Sequence, residues 1–247
     1  CWPPGGPPPP AAEGATGPEG ARRRKELPTG MSIVILEDDR LPRVSFGLEV
    51  RRGAGSVAPS QAGIAAIATE VMQRGAGDRD GLALAKVVED AGASLSVSAD
   101  WDTTGVSLSG LSEDRALLME ILEDVALRPR FDQEEFDKAM AEHQAGLIAA
   151  QDDPATLIRW HVLRALYEGH RYGLPRSGTA ETAASFDIAV AQAYWTDRFV
   201  PRDTIFWAVG DVDAESLVVD VQRVFGDLPD VEGVPNTPPP PGRNPLT

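Results

Sequence analysis

The chain changes several times between two hydrophobic periods, and each change predicts a new element. From Met31, apolar residues alternate at Ile33 and Ile35, a turn follows at Asp38-Asp39-Arg40-Leu41-Pro42, and alternation resumes through Val44, Phe46, Leu48 and Val50. Period two predicts a pair of antiparallel strands. From Gln61 to Arg74 the spacing turns helical, with Ile64, Ile67, Val71 and Met72 on one face and Gly75 placed to end the helix. A second helix over about 81–91 leads to Ser94-Leu95-Ser96-Val97-Ser98 and Thr104-Gly105-Val106-Ser107-Leu108, a second strand pair.

Ser112-Glu113-Asp114 opens a helix whose buried stripe is Leu117, Leu118, Ile121, Leu122 and Val125. Asp132 with Glu135 three positions on predicts a capping box for a long helix reaching Gln151, and Asp153-Pro154 starts the next with an Asp cap and Pro in the first turn. A helix around 187–199, the strand Thr204–Gly210 and a helix from Asp213 to Phe225 complete the series. The order predicts an α+β domain, helices packed on one face of an antiparallel-rich mixed sheet. It lacks the regular alternation of a doubly wound fold and any glycine-rich phosphate loop.

Proline distribution sets the domain limits. Fourteen of the 21 prolines fall in residues 1–28 or 235–247, which predicts a Pro/Gly-rich tail over 1–26, a folded domain over 27–234 and a Pro-rich linker over 235–247. The basic run Arg22-Arg23-Arg24-Lys25 is expected to be a solvated charge run on the tail. With 23 Lys and Arg against 38 Asp and Glu, the net charge of -15 disfavours nucleic acid and anionic lipid as partners. The single cysteine, Cys1, excludes an intrachain disulfide and a cysteine-based metal cluster. Its position ahead of a Pro-rich stretch in a chain without an initiating Met fits a mature, acylated bacterial lipoprotein as well as an arbitrary boundary.

Seven stretches stand out in order along the chain: Leu27-Pro28-Thr29-Gly30, Ala62-Gly63-Ile64-Ala65, Ala91-Gly92-Ala93-Ser94-Leu95, Asp152-Asp153-Pro154, Leu166 through Gly173, Tyr194 through Asp203, and Val209-Gly210-Asp211-Val212-Asp213. Together they resemble the insulinase/pitrilysin peptidases, the inverzincins, which include mitochondrial processing peptidase. Each is weak alone; their shared order spans about 27–229.

The resemblance implies a zinc site that this sequence lacks. Active members carry His-x-x-Glu-His on the first helix, two imidazoles one turn apart on one zinc with the Glu between them activating water, and a later Glu as third ligand. Those five positions fall on Ala66-Ile67-Ala68-Thr69-Glu70, and the later ligand falls near Gly146. Both histidines and the base are missing, so no catalytic residue is assigned; Ala66, Thr69, Glu70 and Gly146 are the degenerate positions. The rival is a displaced metal site built from Glu70, Glu142 and His143. The resemblance also implies that an extended peptide adds to the edge strand Leu95-Ser96-Val97-Ser98, which needs no zinc.

Among the remaining polar residues, His161 beside Trp160 is expected to be a packed core histidine and His170 to fix a loop, while Trp101, Trp160, Trp195 and Trp207 read as core or interface anchors. The resemblance implies a non-catalytic subunit or half of a heterodimeric metallopeptidase in the periplasm or cell envelope, lipid-anchored if Cys1 is acylated. It would bind no zinc itself, hold peptide substrate with a zinc-bearing partner, and lack a second domain. A structural or peptide-binding scaffold of the same descent is the alternative.

Overall fold

The structure is a computed structural model that describes residues 22–229. Expectations for Cys1, for residues 1–21 and for the linker over 235–247 lie outside the described residues.

A six-stranded sheet forms the centre. Its strands are β1 (Arg22–Glu26), β2 (Ser32–Glu37), β3 (Arg43–Val50), β6 (Ser94–Ala99), β7 (Thr104–Leu111) and β8 (Thr204–Gly210), in the order β1-β2-β8-β3-β7-β6. Only the β2–β8 pairing is parallel. The short β4 (Gly75–Ala76) and β5 (Arg79–Asp80) make a separate ribbon.

Two local expectations are corrected. β2 and β3 run antiparallel but are not neighbours, because β8 lies between them, pairing Ile33 with Phe206 and Phe46 with Ala208. A turn signal reports only that the chain reverses; Phe206 and Ala208 on β8 are fully buried and need a central position. The basic run Arg22–Glu26 is also no solvated tail. It is β1, antiparallel to β2, with every side chain exposed. Its pairing comes from backbone groups, and charge suits an edge strand because it discourages further strand addition.

Helices cover one face. α2 (Gly81–Asp90), α3 (Arg115–Leu127) and α8 (Ala214–Phe225) pack on the inward side chains Ile33, Ile35, Phe46, Leu48, Val106, Leu108 and Phe206. Burying each such large side chain is worth about 1.5–3 kcal/mol. Trp195 joins this core and donates its indole N–H to the Ala126 carbonyl at 2.7 Å, so its polar atom is satisfied. Trp101, Trp160 and Trp207 are only partly buried.

A second cluster gathers α1 (Ile64–Met72), α4 (Gln133–Gln151), α6 (Ala180–Ala183) and α7 (Ile188–Thr196). α1 buries Ile64, Ile67, Ala68, Val71 and Met72. Gly63 starts it at φ 102°, and a β-carbon there would meet the Ser177 carbonyl at 2.6 Å, so only glycine fits. α5 (Pro154–Leu166) starts as expected, its Asp153 side chain accepting from the Ala155 and Thr156 amides. The capping box expected at Asp132 does not form. Its carboxylate pairs with Arg130 at 2.9 Å, while Glu135 is taken by Lys138.

Candidate functional site: the crossing of α1 and α4

The helical period of α1 places Ala66 and Glu70 one turn apart on its partly exposed face. That face meets α4. Ala66 offers only a methyl group. Thr69, where the resemblance would put the base, is buried, and its hydroxyl donates back to the Ala65 carbonyl at 2.9 Å. Gly146 on α4 is exposed, with open space where a β-carbon would stand.

An arginine that the sequence reading passed over binds the crossing together. Arg74 donates from Nη2 to Glu70 at 2.8 Å and to Glu142 at 2.5 Å, with Glu135 3.7 Å from Nη1. Three carboxylates from two helices converge on one guanidinium. Glu70 lies on α1 and Arg74 in the turn just after it, four residues on, so half of this contact was legible as an ordinary i,i+4 pair. The half that reaches α4 was not.

The displaced metal site is not brought together. Glu70 and Glu142 face Arg74, whereas His143 turns away, its Nε2 lying 2.9 Å from the Ser177 carbonyl oxygen. Burial pushes His143 below its ordinary value of 6.5, against that hydrogen bond, which raises it. Among the described residues no group of three or more His, Cys, Asp or Glu side chains is placed to hold a metal ion.

Beside α1 runs β6, at the open edge of the sheet. The Gln73 side-chain amide donates to the Val97 carbonyl at 3.2 Å, which turns that carbonyl away from β7. The Asp100 amide bonds the Thr103 carbonyl across the turn to β7, so alternation sends the peptide groups of Ser94, Ser96 and Ser98 toward β7 and those of Leu95, Val97 and Ala99 toward the edge. Of the four residues expected to meet a peptide, Leu95 and Val97 hold the edge groups. Ser96 and Ser98 project from the outer sheet face.

The turn after β6 is tied to the segment following α5. Asp102 accepts from Arg171 and, at 2.6 Å, from the Tyr172 hydroxyl, while Arg176 pairs with Asp100 at 2.7 Å. The Asp102 hydrogen bond, with burial, pushes the Tyr172 phenol up. His170 does fix its loop, its Nδ1 accepting from the Tyr172 amide at 3.3 Å. His161 is exposed on α5, not packed in the core. A Trp-His pair on a mostly apolar helix suggests burial, but α5 buries none of its residues.

Comparison with known proteins decides the family. The profile of the insulinase peptidases, peptidase family M16, matches residues 33–180. The chain belongs to that family. It is 22% identical over 204 residues to an uncharacterized zinc protease of Bacillus subtilis, covering 83% of this chain and 50% of that protein. It is 25% identical over 206 residues to one of Mycobacterium tuberculosis, covering 83% and 47%. Among solved structures, an inactive M16 peptidase domain from Pseudomonas fluorescens superposes with a TM-score of 0.81 at 20% identity, covering 87% of this chain and 52% of the other. The periplasmic protease PqqL of Escherichia coli gives 0.79 at 17%, covering 90% and 25%. The chain therefore has the M16 fold, with helices on a mixed sheet, and spans about half the length of the curated relatives it matches.

Proposed function

We propose that this chain is a non-catalytic subunit or half of an insulinase-like metallopeptidase, which acts in proteolysis by holding peptide beside a zinc-bearing partner. The α1–α4 crossing is the observation that carries this reading. Its would-be ligand positions hold Ala66, Glu70 and Gly146, and its one remaining carboxylate is bound to Arg74. A zinc site needs at least three protein ligands and a general base for its water. One carboxylate already paired with a guanidinium supplies neither, so no zinc chemistry is derived for this chain. Catalysis would belong to the partner.

Peptide holding is supported by the edge of β6, where the Leu95 and Ala99 peptide groups face outward and strand addition needs only backbone hydrogen bonds. The same edge supports the second reading, a peptide-binding scaffold with no proteolytic partner. A periplasmic or cell-envelope location accords with the PqqL likeness. No helix among the described residues is long and apolar enough to cross a membrane.

The test incubates the 247-residue chain, equilibrated with zinc, with a library of fluorescence-quenched peptides. The expected result is no turnover above buffer. Turnover that is abolished both by a zinc chelator and by the Glu70→Ala/His143→Ala variant would overturn the proposal and make this chain an enzyme with a rebuilt site.

A further inference from the structure

A cleft of about 680 Å³ opens between α5 and the segment that follows it, within the range of about 300–1,000 Å³ common for ligand sites. Trp160, Tyr167 and Leu174 supply apolar walls, and Arg164, His170 and Arg171 line it with nitrogen donors. Glu168 is the one acidic side chain in the lining, in a chain whose net charge is -15. Arg171 is committed within the wall: Asp102 holds its Nη2, and its Nε is buried against Gly55. Arg164, exposed in the last turn of α5, has no ion-pair or hydrogen-bond partner among the described residues and is open to an external acceptor.

Two other clefts do not combine an unpaired arginine with aromatic walls. In one of about 340 Å³, Arg198 stacks 4.3 Å from the centre of the Tyr194 ring and donates to the Ser56 hydroxyl and the Tyr194 carbonyl. In one of about 460 Å³, Arg40 is satisfied by Asp38 at 2.7 Å and Arg43 is exposed, but no aromatic side chain lines it.

We infer that the α5 cleft binds a peptide segment that presents an aromatic or branched apolar side chain next to a carboxylate. The ring or branched chain stacks on Trp160 and Tyr167, and the carboxylate accepts from Arg164, a charge-assisted bond of the stronger kind. A peptide is favoured over a nucleotide for two reasons. The cleft wall is fastened through Asp102 and Asp100 to the turn after β6, the strand whose edge is proposed to take an extended peptide, and the chain has no glycine-rich phosphate loop. The inference rests on the peptide-holding reading above but names a separate surface.

The experiment is calorimetric titration of the full chain with acetyl-Glu-Phe-Asp-Leu-amide, with acetyl-Lys-Phe-Lys-Leu-amide as the reversed-charge probe. The expected result is saturable one-site binding of the acidic peptide, at least tenfold weaker binding of the basic one, inverted preference in Arg164→Glu, and at least fivefold weaker binding in Trp160→Ala. Both positions lie on a helix that buries nothing, so the fold survives either change. No saturable binding of the acidic peptide, the same preference in Arg164→Glu as in the wild type, or displacement of the peptide by ATP at equal concentration would overturn it. Leu95→Pro, which removes an outward N–H of β6, separates the two sites. The cleft account expects tetrapeptide binding to survive it, and loss of that binding would move the probe to the strand edge and end the cleft proposal. Failure of a longer strand-forming peptide alone would count against the edge reading and leave the cleft standing.

Discussion

The α1–α4 crossing and the α5 cleft are both polar regions on helix surfaces, and they differ in what they leave unsatisfied. At the crossing, Glu70, Glu135 and Glu142 all point at Arg74, and the Thr69 hydroxyl is returned to its own helix. In the cleft, the exposed Arg164 faces no acceptor among the described residues. A region whose donors and acceptors are matched internally holds elements together, and a region with donors left over is suited to an external acceptor. On the proposed reading, the same chain carries a family site closed by its own ion pairs and a separate surface open to an external acceptor.

The comparison breaks most readily at Arg74. Arg74→Met leaves three carboxylates facing one another, and we expect a loss of about 1–2 kcal/mol in urea unfolding, kept modest because Glu70 and Glu142 are solvent-exposed. An unchanged urea midpoint would mean that the crossing is not held by these pairs. Asp102→Asn is expected to cost about 1 kcal/mol, since the half-exposed carboxylate serves both Arg171 and Tyr172, and to weaken acidic-peptide binding in the cleft. Loss of stability without loss of binding would separate the cleft wall from its site.

A third change acts at the β6 edge. Gln73→Ala frees the Val97 carbonyl, and the affinity of a strand-forming peptide should rise about two- to fivefold if that acceptor meets the ligand. Lower affinity would show Gln73 to be part of the binding surface. The smallest effect concerns His143. Held neutral by burial, it binds fewer protons in the folded than in the unfolded chain below its ordinary value of 6.5. Its contribution to stability is therefore complete above that pH and is lost as the pH falls through the window beneath it. His143→Gln, which can still donate to Ser177, should flatten the fall in urea midpoint between pH 7 and 5. Identical pH profiles would remove His143 from the account.

Much of the fold was legible because its signals are local. Alternation gave β3, β6 and β7, and the Asp153-Pro154 start gave α5. What escaped depends on distant partners. β8 entering between β2 and β3 is decided by burial of Phe206, not by the Asp38–Pro42 turn. β1 has no apolar period and is held only by backbone pairing. Asp132 forgoes its cap because Arg130 is nearer, and Arg74 reaches Glu142 only once α1 and α4 have packed. The open Arg164 of the cleft was invisible for the same reason, since a sequence does not show which guanidinium lacks a partner.

The central claim is that the family site is silent because its ligand atoms are absent, in a backbone that would still accept them. Zinc per chain tests it directly, measured by elemental analysis after zinc equilibration and removal of excess, for the wild type and for Ala66→His/Thr69→Glu/Glu70→His/Gly146→Glu. The account predicts near-zero zinc in the wild type and about one ion per chain in the rebuilt variant. Stoichiometric zinc in the wild type would contradict it.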